Sequence, residues 1–181
     1  MPPKRRHAVR YAALTTRGHE PAKDDVPCHL RVMLDQVGVT ERTGKNDGRE
    51  IEMYLGSVGL GSGHPWCAAL PHWSYRTCGR VLEPAREFAM ARRWHTQERR
   101  TWERSGWTPK PGERLSRPGD HLALYYANLG RIGHTAVVEA EDGDYFSTVE
   151  GNTNAEGSRE GNGVHRRRRL KRSTYCLSRW D

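Results

Sequence analysis

Phenylalanine is almost missing from this chain, with two copies in 181 residues, and hydrophobic types make up only 35% of it. No apolar run approaches the roughly 20 residues that a helix needs to cross a bilayer, which excludes a membrane-spanning helix. Four cysteines are present, Cys28, Cys67, Cys78 and Cys176, with no CxxC pair among them. Without that spacing a structural zinc site is not expected, and a disulfide framework is unsupported. The basic start Met1-Pro2-Pro3-Lys4-Arg5-Arg6 leads into no apolar core of a signal peptide. Synthesis in the cytoplasm is therefore expected, with any work on the outside depending on release or delivery by another route. No internal repeat is found.

The bulk that phenylalanine does not supply comes from six tryptophans and seven tyrosines. A mean hydropathy of -0.90 sets the chain at the polar end of globular proteins. Its length suits one domain with a real core, and it is expected to work as a monomer. A formal charge of +8 implies attraction to something anionic. Nucleic acid, lipopolysaccharide and a phosphate-bearing cell wall all satisfy that charge, and charge alone does not choose among them.

Residues 1–24 are basic and then polar, without periodicity, and read as a poorly ordered lead-in to a domain over 25–181. Asp25 is placed to cap a helix with Pro27 early and Leu30, Met33, Leu34 and Val37 at helical spacing, stopped by Gly38. A turn-rich loop over Thr43–Gly48 precedes a second helix with Ile51, Tyr54, Leu55 and Val58 on one face. Gly59, Gly61 and Gly63 lead to a third helix, expected from about Cys67 to Cys78-Gly79. A fourth is expected from Pro84 to about Gln97, with Phe88, Ala91 and Trp94 in phase. Proline and glycine then mark Thr108–Arg117 as a loop. Beyond Pro118-Gly119-Asp120 the period turns strand-like over Leu122–Tyr126, Thr135–Ala140, Tyr145–Val149, Val164–Leu170 and Thr174–Leu177. Asp142-Gly143-Asp144 reads as a hairpin turn. Helices first and an antiparallel meander afterwards give an α+β domain.

Cys67 lies where a turn hands over to an apolar stretch of helical period, Gly63-His64-Pro65-Trp66-Cys67-Ala68-Ala69-Leu70. A helix start lowers a thiol pKa through the dipole and the unpaired N–H groups, and the thiolate is the attacking species of a cysteine hydrolase. An isolated cysteine is more often inert packing; the setting makes Cys67 the candidate nucleophile. Of nine histidines, His134 follows Gly133 into a strand and is the candidate base, with His121 in reserve. His7 and His19 fall in the lead-in, and His95 is expected on a helix surface. Glu150 and Asn152 are two apart, so a continued strand puts both on one face. There a carboxylate accepts from the second imidazole nitrogen and an amide helps orient the ring. Trp66 is a candidate for the cleft wall; Trp73 at helical spacing reads rather as core.

Taken in order, these pieces resemble the CHAP family, the cysteine, histidine-dependent amidohydrolases/peptidases. The marks are Asn46-Asp47-Gly48 ahead of a helix carrying Tyr54-Leu55, then Pro65-Trp66-Cys67-Ala68-Ala69-Leu70 and Trp73-Ser74-Tyr75. Pro118-Gly119-Asp120, Gly133-His134-Thr135-Ala136-Val137-Val138 and Val149-Glu150-Gly151-Asn152-Thr153-Asn154 continue them, over about residues 26–172. The resemblance implies a papain-like fold, with N-terminal helices packed on a C-terminal antiparallel sheet. It implies peptidoglycan as substrate, Cys67 as nucleophile, His134 as base, and Glu150 and Asn152 as the orienting pair. The Cys67 N–H would donate to the oxyanion, and Tyr54 is a candidate second donor at the substrate. Some relatives bind calcium through an acidic loop, but Asp47, Glu50 and Glu52 form no Asp-x-Asp cluster, so no metal or other cofactor is expected. Pro71 departs from the family pattern; lacking an N–H, it is expected to leave the Cys67 carbonyl without its helical donor and to kink the helix.

The expected activity is therefore cleavage of a stem-peptide amide, as endopeptidase or as N-acetylmuramoyl-L-alanine amidase. A phage or prophage lysin and a delivered antibacterial effector are both fitting settings. The run His165–Arg169 reads either as an edge strand blunted by charge or as an electrostatic contact with an anionic bacterial envelope. Two rivals remain: a basic nucleic-acid-binding protein, for which no dedicated motif is seen, and a papain-like deamidase acting on another amide.

Overall fold

The computed structural model describes residues 26–105, 113–156 and 160–180. The lead-in over 1–24, the Asp25 cap and the first half of the Thr108–Arg117 loop lie outside the described residues. Three helices come first, α1 (Cys28–Leu34), α2 (Arg49–Ser57) and α3 (Ala69–Thr77), as the apolar periodicity predicts. Pro27 stands at the N-cap of α1, where its missing N–H costs nothing. The helix buries Leu30 and Met33 but ends three residues before Val37, which stays exposed. On α2, Ile51, Tyr54 and Leu55 are fully buried, and Val58 just past its end completes the face. Glu50 and Glu52 occupy the first turn of α2, the end at which the helix dipole favours carboxylates.

The third helix starts later than the sequence suggests. The Trp66 carbonyl accepts from the Ala69 and Leu70 N–H groups at 3.1 and 3.2 Å, so Cys67 sits in the turn ahead of α3 rather than inside it. Pro71 is then the third helical residue, and since the Leu70 N–H already reaches the Trp66 carbonyl, the next bond, from position 71 to the Cys67 carbonyl, is the one a proline cannot make. The Cys67 carbonyl therefore goes without its helical donor, as expected, and the regular helix is counted only from Ala69.

The sheet has six antiparallel strands, β1 (Arg100–Glu103), β2 (His121–Tyr126), β3 (Arg131–Asp142), β4 (Tyr145–Thr153), β5 (Gly163–Leu170) and β6 (Cys176–Ser178), in the order β1-β6-β2-β3-β4-β5. The meander from β2 to β5 matches the sequence reading, with Gly143 at φ 51° in the β3–β4 turn. The short β1 was not foreseen, and β6 returns to lie between it and β2. Alternation divides the sheet between two cores. Val137, Val149 and Val164 meet the helices, whereas Leu122, Leu124, Ala136, Val138, Phe146 and Leu177 pack on the opposite face. The architecture is a mixed α+β domain.

Two expectations fail here. The single helix over Pro84–Gln97 is instead three short 3-10 turns, Ala85–Ala89, Ala91–His95 and Gln97–Arg99. Phe88, Ala91 and Trp94 are buried nonetheless, because a spacing of three suits the 3.0 residues per turn of a 3-10 helix better than it suits 3.6. His95 is buried, not on the surface, and links Ser178 Oγ and Thr135 Oγ1, each at 3.0 Å. The second failure concerns the cysteines. Cys28 and Cys78 form a disulfide across a sequence separation of 50, tying the first residue of α1 to the end of α3. Spacing alone does not reveal a bridge that depends on two helices lying side by side. Closing a loop of that length is worth about 3 to 4 kcal/mol in the chain-entropy picture. Replacing both cysteines by serine is therefore expected to lower the melting temperature clearly and to remove its sensitivity to reductant; equal melting curves would contradict the bridge.

Candidate active site

The ladder between β3 and β4 runs from Asp142–Tyr145 to Val137–Val149. Past that pair, the turn carrying Trp66 and Cys67 meets both strands. Asn152 Oδ1 accepts the Trp66 backbone N–H at 3.1 Å, and the Thr135 N–H of β3 points to the Cys67 sulfur. Asn152 can do this because its φ is 55°, inside a register shift between Glu150 and Thr153. A bulge of this kind re-aims a side chain that plain alternation would have placed elsewhere. The expected pairing of Glu150 and Asn152 on one face is thus corrected: the amide oxygen serves the nucleophile turn, while Glu150 serves the histidine.

Trp66 works as a wedge. Its ring is wholly buried against Gly151, and its indole N–H donates to Glu41 Oε1 at 2.9 Å. The other Glu41 oxygen accepts the Asn46 N–H at 2.8 Å, so the Thr43–Gly48 loop and the wedge share one carboxylate. Asp47 is used in the same loop by Arg42 and by the Thr43 N–H. Among the described residues no group of three His, Cys, Asp or Glu is arranged to hold a metal.

His134 is fully buried, and its Nε2 lies 2.9 Å from Glu150 Oε2. Nδ1 has no hydrogen-bond partner among the described residues, and Cys67 lies close enough to act on the charge of the ring. Burial would push the Cys67 thiol up, but the charge of His134, its hydrogen bond and the Thr135 and Ala68 N–H groups bring it below its ordinary value. For the imidazole, burial acts downward; Cys67 first and Glu150 second outweigh it and raise His134 to about 9. Burial would likewise raise Glu150, yet Arg169 and His134 hold its carboxyl far below the usual carboxylate range. Each shift acts toward the charged form of its group, the thiolate of Cys67, the imidazolium of His134 and the carboxylate of Glu150.

A family model for the CHAP domain matches residues 59–152, which include Cys67, His134, Glu150 and Asn152. The chain belongs to the CHAP family. A search of curated proteins returns no match. Among solved structures, the crystal structure of Ly7917 is similar at 18% identity and a TM-score of 0.44, over 83% of this chain. This chain spans 60% of the length of that one.

Other candidates fall away from the reacting atoms of the CHAP site. Tyr54 is wholly buried, and its hydroxyl donates to Gln36 Oε1 at 2.7 Å, so neither it nor the covered Trp66 offers a surface to substrate. His121 is stacked on Trp94 with ring centroids 4.2 Å apart and serves the core. His72 bridges Ser57 Oγ and the Leu82 carbonyl. Trp73 is half-buried against Tyr54. Sequence reasoning missed the Thr135 and Ala68 N–H groups, which no residue type announces, and Arg169, which the alternation of β5 could have singled out.

Gly151 shows how tightly the wedge is fitted. A Cβ there would stand 2.5 Å from Trp66 Cζ3 and 2.9 Å from Leu70 Cδ2. Gly151→Ala must push Trp66 aside, at about 1 to 3 kcal/mol of overpacking, and with it the turn that holds Cys67. Lower melting temperature together with slower Cys67 alkylation is expected; an alanine variant equal to wild type in both would show the wedge to be loose.

Proposed function

We propose that this CHAP domain is a peptidoglycan hydrolase that cleaves an amide of the cell-wall stem peptide, or its bond to the sugar, through Cys67, His134 and Glu150. The observation that carries the reading is the hydrogen-bonded His134–Glu150 pair with its free imidazole nitrogen turned to a lowered thiol. Cys67 keeps 8% of its surface accessible while His134 and Glu150 have none, so it is the one of the three that substrate can reach.

In the proposed reaction the Cys67 thiolate attacks the amide carbonyl, and charge moves onto the carbonyl oxygen. The Cys67 N–H, ahead of the first helical residue and outside the ladder, is positioned to donate to that oxyanion. Collapse of the intermediate needs a proton on the leaving amine, which His134 Nδ1 supplies, leaving a thioester on Cys67. Neutral His134 then takes a proton from water as it attacks, the acid is released, and the pair is restored. Glu150 fixes the ring so that Nδ1 faces the sulfur throughout.

The Cys28–Cys78 disulfide favours work outside the reducing cytosol, in keeping with delivery to the wall as a lysin or an effector. The arginine run adds less to envelope attraction than its charge suggests, since Arg166 and Arg168 pair with Glu139 and Asp142 and Arg169 pairs with Glu150.

Cys67→Ala is expected to abolish release of muropeptides from purified sacculi while leaving the circular dichroism spectrum unchanged, and His134→Ala to lose about two to four orders of magnitude in rate. Full activity in the Cys67 variant would remove the proposal. A new N-terminus within the stem peptide identifies endopeptidase cleavage, and a freed lactyl carboxyl with an N-terminal alanine identifies amidase cleavage. The wild-type rate should fall as pH rises through about 9, where His134 gives up the proton the amine needs, and should fade in acid as the thiolate is protonated. A rate that keeps climbing above that pH would contradict His134 as the acid.

A further inference from the structure

Glu150 has no access to water, and both of its oxygens are occupied. Oε1 accepts from Thr148 Oγ1 at 2.6 Å and from Arg169 Nε at 2.8 Å. Oε2 accepts from His134 Nε2 at 2.9 Å and from an Arg169 terminal nitrogen at 2.5 Å. Arg169 comes from the far end of β5, opposite Phe146, and lies along the face that also carries Thr148 and Glu150. Its neighbours in the run turn the other way, Arg166 to Glu139 and Arg168 to Asp142.

We propose that Arg169 is a positioning residue of this site, clamping Glu150 with its fork and supplying the fourth charge that makes the buried chain of Cys67, His134 and Glu150 electrically neutral. The inference rests on the cysteine-hydrolase reading. Without Arg169, a thiolate, an imidazolium and a carboxylate leave one uncompensated negative charge in a dry site. A two-point guanidinium contact also fixes the carboxylate plane, so that one lone pair stays aimed at His134 Nε2. It shares the carboxylate charge as well, which keeps His134 from holding its proton too strongly to release it. The charged and titratable groups on this face are His134 from β3, Arg169, Arg167 and His165 from β5, the last paired across strands with Glu150, and, beyond them, Cys67 and the Tyr126 hydroxyl of β2.

Removing a positive charge raises the pKa of every group that felt it, which gives the role a signature that a purely structural arginine lacks. The test follows Cys67 alkylation by iodoacetamide against pH, with the modified peptide located by mass spectrometry, beside sacculus hydrolysis. Arg169→Met is expected to move the alkylation midpoint up by about one pH unit and to lower hydrolysis by about tenfold or more. Arg169→Lys keeps the charge but loses the fork; its midpoint should stay at the wild-type pH while hydrolysis still falls. A folded Arg169→Met with the wild-type midpoint overturns the proposal. Where the Met variant does not fold, wild-type hydrolysis by Arg169→Lys overturns it. A wild-type midpoint in the ordinary thiol range would instead overturn the hydrolase reading beneath it, since alkylation needs no wall substrate.

Discussion

A thiolate held against a dry interior requires a cation beside it, and that requirement organises this molecule. Cys67 is all but covered, and burial alone would keep it a neutral, inert thiol. The charge of His134, with the Thr135 and Ala68 N–H groups beside it, acts in the opposite direction and brings the thiol down. His134 is itself buried and would lose its proton without Cys67 on one side and Glu150 on the other. Glu150, buried in turn, stays ionised through His134 and the Arg169 fork. Each group favours the charge of the next, and the hydrogen-bonded chain ends at Arg169, on the edge strand.

Such a chain demands placement within hydrogen-bond tolerance by elements far apart in sequence. The sheet supplies His134, Glu150 and Arg169 on three adjacent strands, where antiparallel register fixes their spacing. The thiol comes from a turn, and a turn needs bracing. Trp66 gives that bracing, wedged on Gly151, tied to Glu41 through its indole and to Asn152 through its backbone. Behind β3, His95 bonds the side chain of Thr135, whose own N–H faces the sulfur. The disulfide joins α1 to the other end of α3, so the helix behind the nucleophile is anchored at both ends.

Much of this was legible in the sequence, and the exceptions have physical causes. Apolar periodicity located α1, α2 and the meander, because those elements bury one face each. The thiol, the histidine and the carboxylate were recognisable by type and by order along the chain. What sequence could not carry was anything set by a local break in regularity. The bulge that turns Asn152 toward Trp66 defeats the two-residue alternation that paired it with Glu150. The proline at 71 withholds the donor that the Cys67 carbonyl would have, and the regular helix begins only at Ala69. The 3-10 turns over 85–99 bury the positions expected of an α-helix, since a spacing of three fits both. The disulfide and the Arg169 clamp are contacts between segments brought together by the fold; nothing nearby in sequence marks the first, and the alternation of β5 gives only the face of the second.

The most direct measurement is the ultraviolet absorbance of the Cys67 thiolate, taken as wild type minus Cys67→Ser across a pH series. A thiolate signal persisting well below the ordinary thiol range, and lost from that range when His134 is replaced by alanine, is the predicted result. A single titration at the ordinary thiol pH, unchanged by the His134 substitution, would contradict the ion pair on which the proposed chemistry stands.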